Sequence, residues 1–152
     1  MFQSVFITLL FLFAALPETL AGNLIVHNQC QFAMWCGSAA NDGTFTPAVQ
    51  VYQGGYYTSP QPARPGAPGV VVKCGRDSNI LEPYQLEVAQ DADTRTWLDL
   101  SDLDGHPFKA YHRHAEIAGT NCVLDCQPGE TACEWPYALD CYTTQDVVMT
   151  LC

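Results

Sequence analysis

Positive charge is scarce in this sequence. Its 152 residues include six Lys and Arg against sixteen Asp and Glu, which gives a formal net charge of −10. Nucleic acids and anionic membranes are bound through basic patches, so this acidity argues against both as partners. Basic partners and neutral polymers remain open.

A hydrophobic run long enough to span a bilayer is also missing. The apolar run over residues 6–15 is shorter than the roughly 20 residues that a transmembrane helix needs. Residues 19–21 follow it and end in a small residue that suits signal peptidase, although no Lys or Arg precedes the run. We therefore predict a secretory signal peptide at residues 1–21 and one domain at residues 22–152. The expected location is extracellular or in the cell wall, with no membrane attachment after cleavage.

Internal repeats, low-complexity tracts and Asn-x-Ser/Thr sequons are absent as well. Long segments with a 3.6-residue period are lacking, whereas short strand-like stretches separated by turn residues are frequent. The strand-like stretches are residues 23–28, 32–36, 49–53, 56–58, 70–74, 84–89, 97–100 and 146–152. This pattern predicts an all-β fold, an antiparallel sandwich or barrel.

Three local predictions follow from the same pattern. Residues 23–28 and 32–36 are expected to form a hairpin, and residues 84–89 are expected to pair with the strand at Trp97 through a turn at 91–94. Residues 109–121 have no clear periodicity, and a short helix over 110–118 is the interpretation we adopt for them.

Cysteine, in contrast, is plentiful. All eight cysteines follow residue 21, and an even set in an exported chain predicts four disulfides. A zinc site is the alternative, because Cys122 and Cys126 have a ligand-like spacing, but an oxidising compartment favours disulfides. Paired cysteines also exclude a cysteine nucleophile.

Three acids are the candidate binding residues. Glu87 and Asp99 would share one face of the predicted hairpin, and Asp104 follows in an Asp-Gly turn. An acidic protein also carries solvated acids at strand ends. The alternative that these three acids are surface charges without a ligand therefore stays open.

His112 and His114 would lie on one face if their segment were a strand, as metal ligands can. Solvated histidines are the favoured interpretation, so we predict no metal site and no cofactor. Asp102 and Asp104 mimic the start of a calcium loop, but the Glu that closes such a loop is missing.

Several stretches together resemble thaumatin-like proteins. These stretches are the opening strand 23–28 before Cys30, the Phe-Ala-Met-Trp strand at 32–35, the Trp-Leu-Asp-Leu-Ser-x-x-Asp-Gly stretch at 97–105, and the last strand with its cysteine at 147–152. The compact size and the form Asp-Leu-Ser-x-x-x-Gly-x-Pro-Phe at 99–108 resemble more narrowly the Blastomyces yeast-phase-specific protein family. Members of that family are small, secreted, thaumatin-like fungal proteins, often antigenic.

The resemblance implies a disulfide-rich, thaumatin-like β-sandwich with a short cysteine-rich loop region near the C-terminus. The disulfide pairs that it implies are Cys30–Cys152, Cys36–Cys74, Cys122–Cys141 and Cys126–Cys133. The large lobe that bigger thaumatin-like proteins carry is reduced here to the short loop between Cys126 and Cys133.

The resemblance also implies an acidic cleft linked to β-1,3-glucan. Glu87, Asp99 and Asp104 match three of its five positions. The arginine position falls near Val72 or Lys73, and the third Asp position falls near Glu134 or Trp135. The expected function is a non-enzymatic, antigenic or effector-like protein that binds cell-wall glucan. One alternative is a weak endo-β-1,3-glucanase, with Glu87 and Asp99 as the catalytic candidates because hydrolysis needs two carboxyls that flank the glycosidic bond. The other is an effector that binds a host extracellular protein.

Overall fold

A computed structural model describes residues 22–152, and the regular elements of that range are strands. In chain order they are β1 (Leu24–Asn28), β2 (Met34–Ala40), β3 (Val49–Val51), β4 (Tyr56–Thr58), β5 (Val70–Gly75), β6 (Tyr84–Gln90), β7 (Arg95–Ser101), β8 (Arg113–Ile117), β9 (Val123–Cys126), β10 (Ala138–Tyr142) and β11 (Val147–Leu151). The predicted signal peptide, residues 1–21, lies outside the described residues. Within residues 22–152 there is no helix with the length and apolar character needed to cross a membrane.

The strands form two sheets. One has five strands in the order β4-β1-β11-β8-β9, and the other has six in the order β10-β7-β6-β5-β2-β3. β1 and β11 run parallel, and every other pair in the two sheets is antiparallel. Burial alternates along strands such as β1, β8 and β11, which is the period of two expected when one face of a sheet covers a core. The all-β sandwich prediction is confirmed.

The predicted hairpin between residues 23–28 and 32–36 is wrong. β1 lies between β4 and β11 in the five-stranded sheet, whereas β2 lies between β5 and β3 in the six-stranded sheet. The chain crosses between the sheets after Asn28, whose buried amide donates to the carbonyls of Phe32 and Val51 at 2.9 Å each. These bonds satisfy a polar group in the interior. They fix the start of a connection that leads to the other sheet, where a hairpin would have turned back to the same sheet.

The predicted helix over residues 110–118 is also wrong, because that segment contains β8. Arg113, Ala115 and Ile117 point inward and are buried, and the residues between them are partly exposed. β8 pairs with β11 on one side and with β9 on the other. The alternation is present in the sequence, but a buried arginine and a small alanine hide it from a hydrophobicity pattern.

The four disulfides lie on strands or close to their ends, and one of them links the two sheets. The pairs are Cys30–Cys152, Cys36–Cys74, Cys122–Cys141 and Cys126–Cys133, the same pairs that the resemblance implies. Cys36 and Cys74 are direct cross-strand partners on β2 and β5. Cys122, next to β9, joins Cys141 on β10, so this bond links one sheet to the other.

A charged network lies buried at one end of the core. The Arg113 side chain is fully buried on β8, and its Nε donates to Glu134 Oε1 at 3.0 Å. Tyr84, on β6 of the opposite sheet, donates its hydroxyl to the same oxygen at 2.7 Å. Burial, followed by this hydrogen bond to Glu134, raises the pKa of Tyr84 far above its ordinary value. Tyr84 therefore stays neutral and acts as a donor.

The rest of the Arg113 guanidinium organises two loops. Nη1 donates to the carbonyls of Lys109 at 3.2 Å and Gln127 at 3.3 Å, and also to that of Tyr111. Nη2 donates to the carbonyl of Glu130. One side chain thus satisfies backbone acceptors in the segment before β8 and in the short loop closed by Cys126–Cys133.

Candidate functional site

The candidate site begins with the β6–β7 hairpin. The turn closes where Asp91 donates its backbone N–H to the carbonyl of Arg95 at 2.8 Å and Thr94 donates to that of Asp91 at 3.1 Å. This turn sets a register in which Glu87 lies directly opposite Asp99. Residues two apart on a strand point to the same face, so Trp97 and Asp99 share the outer face of the six-stranded sheet. The predicted hairpin is confirmed.

A cleft of about 330 Å³ lies over this pair. Its lining residues come from β5, β6 and β7, from the turn after β2 and from the residue before β5: Asn41, Gly69, Val70, Val71, Lys73, Gln85, Glu87, Val88, Ala89, Trp97 and Asp99. The lining combines carboxyl, amide and ammonium groups with one partly exposed indole. Such a lining can exchange hydrogen bonds with a hydroxyl-rich ligand while an aromatic ring covers its apolar face.

Asp99 is the perturbed carboxyl of the cleft. Burial first, and the neighbouring charge of Glu87 second, raise the pKa of Asp99 from 3.8 to about 7. Its Oδ1 is buried and has no hydrogen-bond partner among the described residues. A protonated Asp99 can donate a hydrogen bond while the Glu87 carboxylate accepts one, so the pair offers both functions to a ligand hydroxyl.

Asp99 makes stability depend on pH in a defined direction. The unfolded chain ionises Asp99 near 3.8, whereas the folded protein retains the proton up to about pH 7. Between these values the folded protein binds more protons than the unfolded chain, so stability falls as the pH rises. We expect Asp99→Asn to gain melting temperature relative to wild type as the pH is raised from 4 to 8. Thermal unfolding across this range checks the difference.

Asp93→Asn is the control for this experiment because Asp93 is an exposed turn carboxylate of the same hairpin. A difference between Asp99→Asn and wild type that stays constant from pH 4 to pH 8 would contradict the raised pKa of Asp99.

Asp104 lies beside the cleft and is connected to it through Lys73. The Lys73 ammonium, which lines the cleft, forms an ion pair with Asp104 Oδ2 at 3.1 Å. Asp104 itself lines a separate depression together with Glu82, Asp102, Leu103, Gly105, His106 and Pro107. The structure therefore brings Glu87 and Asp99 together, with Asp104 on the far side of a lysine.

The remaining positions implied by the resemblance differ in their placement. Val72 is fully buried in the core, and Lys73 supplies the cation of the cleft. Glu134 is buried against Arg113 and Tyr84, so its carboxylate faces the interior. Trp135 is exposed, and its backbone N–H donates to the carbonyl of Leu100 at 2.7 Å.

Sequence reasoning did not identify Trp97, Gln85 and Asn41 as cleft residues. A signal existed for Trp97, because it is two residues from Asp99 on a strand and must share its face. No comparable signal marks Asn41, which reaches the cleft from the turn after β2. Its backbone N–H donates to the carbonyl of Gly69 at 3.0 Å.

Comparison with known proteins points to one family. The family described as Blastomyces yeast-phase-specific protein (Bys1) matches residues 11–152. Among solved structures, the protein elicitor MoHrip2 from Magnaporthe oryzae is similar, with 22% sequence identity, a TM-score of 0.76 and coverage of 87% of this chain and 99% of MoHrip2. The thaumatin-like xylanase inhibitor TLXI is similar with 13% identity, a TM-score of 0.62 and coverage of 85% and 98%. At these identities the two structures establish a shared thaumatin-like fold. A sequence search of curated proteins finds no match.

Proposed function

The chain belongs to the Blastomyces yeast-phase-specific protein family, and from that premise we propose that it is a secreted, non-enzymatic protein that binds cell-wall β-1,3-glucan through its acidic cleft. Antigenic or effector-like behaviour outside the cell belongs to the same proposal. The observation that carries the proposal is the Glu87–Asp99 pair, two carboxyls that lie opposite each other on neighbouring strands and line one open cleft.

The charge of the cleft favours a neutral ligand. Below about pH 7, Asp99 carries a proton and no charge. The Lys73 ammonium is already paired with Asp104, which leaves the Glu87 carboxylate as the charge facing the ligand. A neutral polymer with many hydroxyls matches such a surface better than an anionic polymer, since an anion would meet a carboxylate.

Four disulfides support secretion. Such bonds form and persist in oxidising compartments outside the cytosol. The short apolar segment before residue 22 supplies the expected export signal.

The test is co-sedimentation of the oxidised protein with insoluble β-1,3-glucan at pH 5, with cellulose and chitin in parallel. We expect selective pelleting with the glucan. The double variant Glu87→Gln with Asp99→Asn should lose about tenfold or more in affinity, because hydrogen bonds that involve a charged group contribute about 1.5 to 3 kcal/mol each.

A second double variant, Asp93→Asn with Glu116→Gln, removes the same two side-chain types outside the cleft and serves as the control. It should pellet like wild type. Equal affinity of the two double variants would refute the acidic cleft as the binding site. A wild-type protein that pellets with none of the polymers would refute glucan binding itself.

Weak hydrolysis of the glucan is a second candidate function, and the raised pKa of Asp99 beside Glu87 is the observation that favours it. A carboxyl that keeps its proton near neutral pH can protonate a leaving group while a neighbouring carboxylate assists. New reducing ends released by wild type and abolished by the cleft double variant would identify the protein as a hydrolase. Pelleting without new reducing ends would leave it a binding protein.

Binding to a host protein is the remaining candidate. It is favoured by the structural likeness to MoHrip2, named a protein elicitor, and to TLXI, named a xylanase inhibitor. In this case the cleft double variant and wild type should bind a purified extracellular host protein equally well, because neither cleft acid is needed.

A further inference from the structure

A second cluster of polar side chains lies on the outer face of the five-stranded sheet, away from the acidic cleft. His112 immediately precedes β8, His114 lies on β8, and Asp125 lies opposite His114 on β9. One nitrogen from each imidazole and one carboxylate oxygen all lie within 4.8 Å of one another. Both imidazoles contact the same Asp125 oxygen, so the two histidines lie on one side of the sheet.

We propose that His112, His114 and Asp125 form a surface site for a borderline divalent cation, with Zn²⁺ as its best-matched ion. Two imidazole nitrogens and one carboxylate oxygen are donors that Zn²⁺ prefers, whereas Ca²⁺ and Mg²⁺ prefer sets composed of oxygen. The three side chains are 40%, 26% and 46% exposed, so an ion reaches them from solvent. Three protein ligands leave one tetrahedral position open to water or to a ligand from a partner.

The donor atoms already converge on a common point. Asp125 Oδ1 lies 2.6 Å from His112 Nε2 and 3.1 Å from His114 Nδ1. A cation bound among these three atoms takes the place of the hydrogen atoms that now link the two imidazoles to Asp125 Oδ1. Each neutral imidazole then carries its proton on its other ring nitrogen, so coordination needs a change of tautomer and no net loss of a proton from the ring.

Neighbouring side chains are placed to support these ligands. Asp125 Oδ2 accepts a hydrogen bond from Gln127 Nε2 at 2.9 Å, which leaves Oδ1 directed at the histidines. His114 Nε2 lies 3.5 Å from Glu116 Oε2, so a proton on that nitrogen meets a carboxylate. Partners of this kind orient metal ligands and increase the basicity of the coordinating nitrogen. The cluster therefore has two of the supporting contacts that distinguish a ligand set from histidines that are merely near one another.

The site also joins two strands at the edge of the sheet. Among the strands of residues 22–152, β9 is the terminal strand of its sheet and pairs only with β8. An ion held by His114 and Asp125 cross-links these two strands. It raises the free energy of unfolding by an amount that grows with the logarithm of the ion concentration once that concentration exceeds the dissociation constant.

The test is titration of the purified, oxidised protein, without a histidine tag, with ZnCl₂ and separately with CaCl₂ by isothermal titration calorimetry. We expect one Zn²⁺ per chain and no saturable Ca²⁺ binding. His112→Gln and Asp125→Asn should each weaken Zn²⁺ binding by about tenfold or more. Both positions are exposed, and a given Zn²⁺ concentration should raise the melting temperature of wild type more than that of either variant.

His106→Gln is the matched control, because His106 is an exposed histidine that also contacts a carboxylate, Asp102 Oδ2 at 2.8 Å. It should bind Zn²⁺ like wild type. The proposal is overturned if wild type shows no one-to-one binding, or if His112→Gln and His106→Gln bind equally well. Imidazole NMR signals of His112 and His114 that do not move when Zn²⁺ is added would overturn it as well.

Discussion

We expect Arg113→Met to lower the free energy of unfolding by about 3 to 5 kcal/mol, because removal of one partner leaves the other charge buried and unpaired. Arg113 is fully buried, and it is the partner of a Glu134 side chain that is 3% exposed. The variant also deprives the carbonyls of Lys109, Tyr111, Gln127 and Glu130 of their donor. Equilibrium denaturation in guanidinium chloride measures the loss.

A double variant separates the charge from the loop contacts. Arg113→Met with Glu134→Gln removes both charges and keeps an acceptor for the Tyr84 hydroxyl, so it should recover part of the loss. Arg95→Met is the control at an exposed ion pair, since Arg95 lies 3.4 Å from Asp140 with both side chains partly exposed. Its cost should stay below about 1 kcal/mol. Equal costs at Arg113 and Arg95 would show that the buried network contributes little.

Removal of the Cys30–Cys152 disulfide has a comparable expected effect. The double variant Cys30→Ser with Cys152→Ser should lose about 4 to 5 kcal/mol, because the bond closes nearly the whole described chain and restricts the unfolded state. The sequence separation of the two cysteines is 122 residues. For a domain of this size the loss should lower the melting temperature on the order of 10 to 20 °C. Differential scanning calorimetry under non-reducing conditions measures it.

The Cys126–Cys133 bond provides the comparison, because its sequence separation is only 7 residues. Loop-closure entropy grows with the logarithm of loop length, so loss of this bond should cost about half as much. If the Cys126→Ser, Cys133→Ser variant were as unstable as the Cys30→Ser, Cys152→Ser variant, loop length would not explain the stabilisation. The cost would then lie in native contacts, including those between the Cys126–Cys133 loop and Arg113.

Local features of the sequence predicted the part of the site that lies on one hairpin. The turn at residues 91–94 joins two neighbouring strands, and a side-chain period of two then places Glu87 opposite Asp99. The same local reading failed between residues 23 and 36. A short connection is compatible both with a hairpin and with a crossing between sheets, and only the distant partner strands of β1 and β2 distinguish them.

The sequence alone determined that the chain is built from short strands, that its eight cysteines are paired in disulfides, and that two acids meet across one hairpin. Each of these depends on periodicity, turn residues or composition, which act over a few residues. Only the tertiary structure placed β1 beside β11, buried Arg113 against Glu134, raised the pKa of Asp99 and brought Asp125 to the two histidines. These features depend on contacts between distant segments and on the exclusion of water, and both arise when the two sheets pack together.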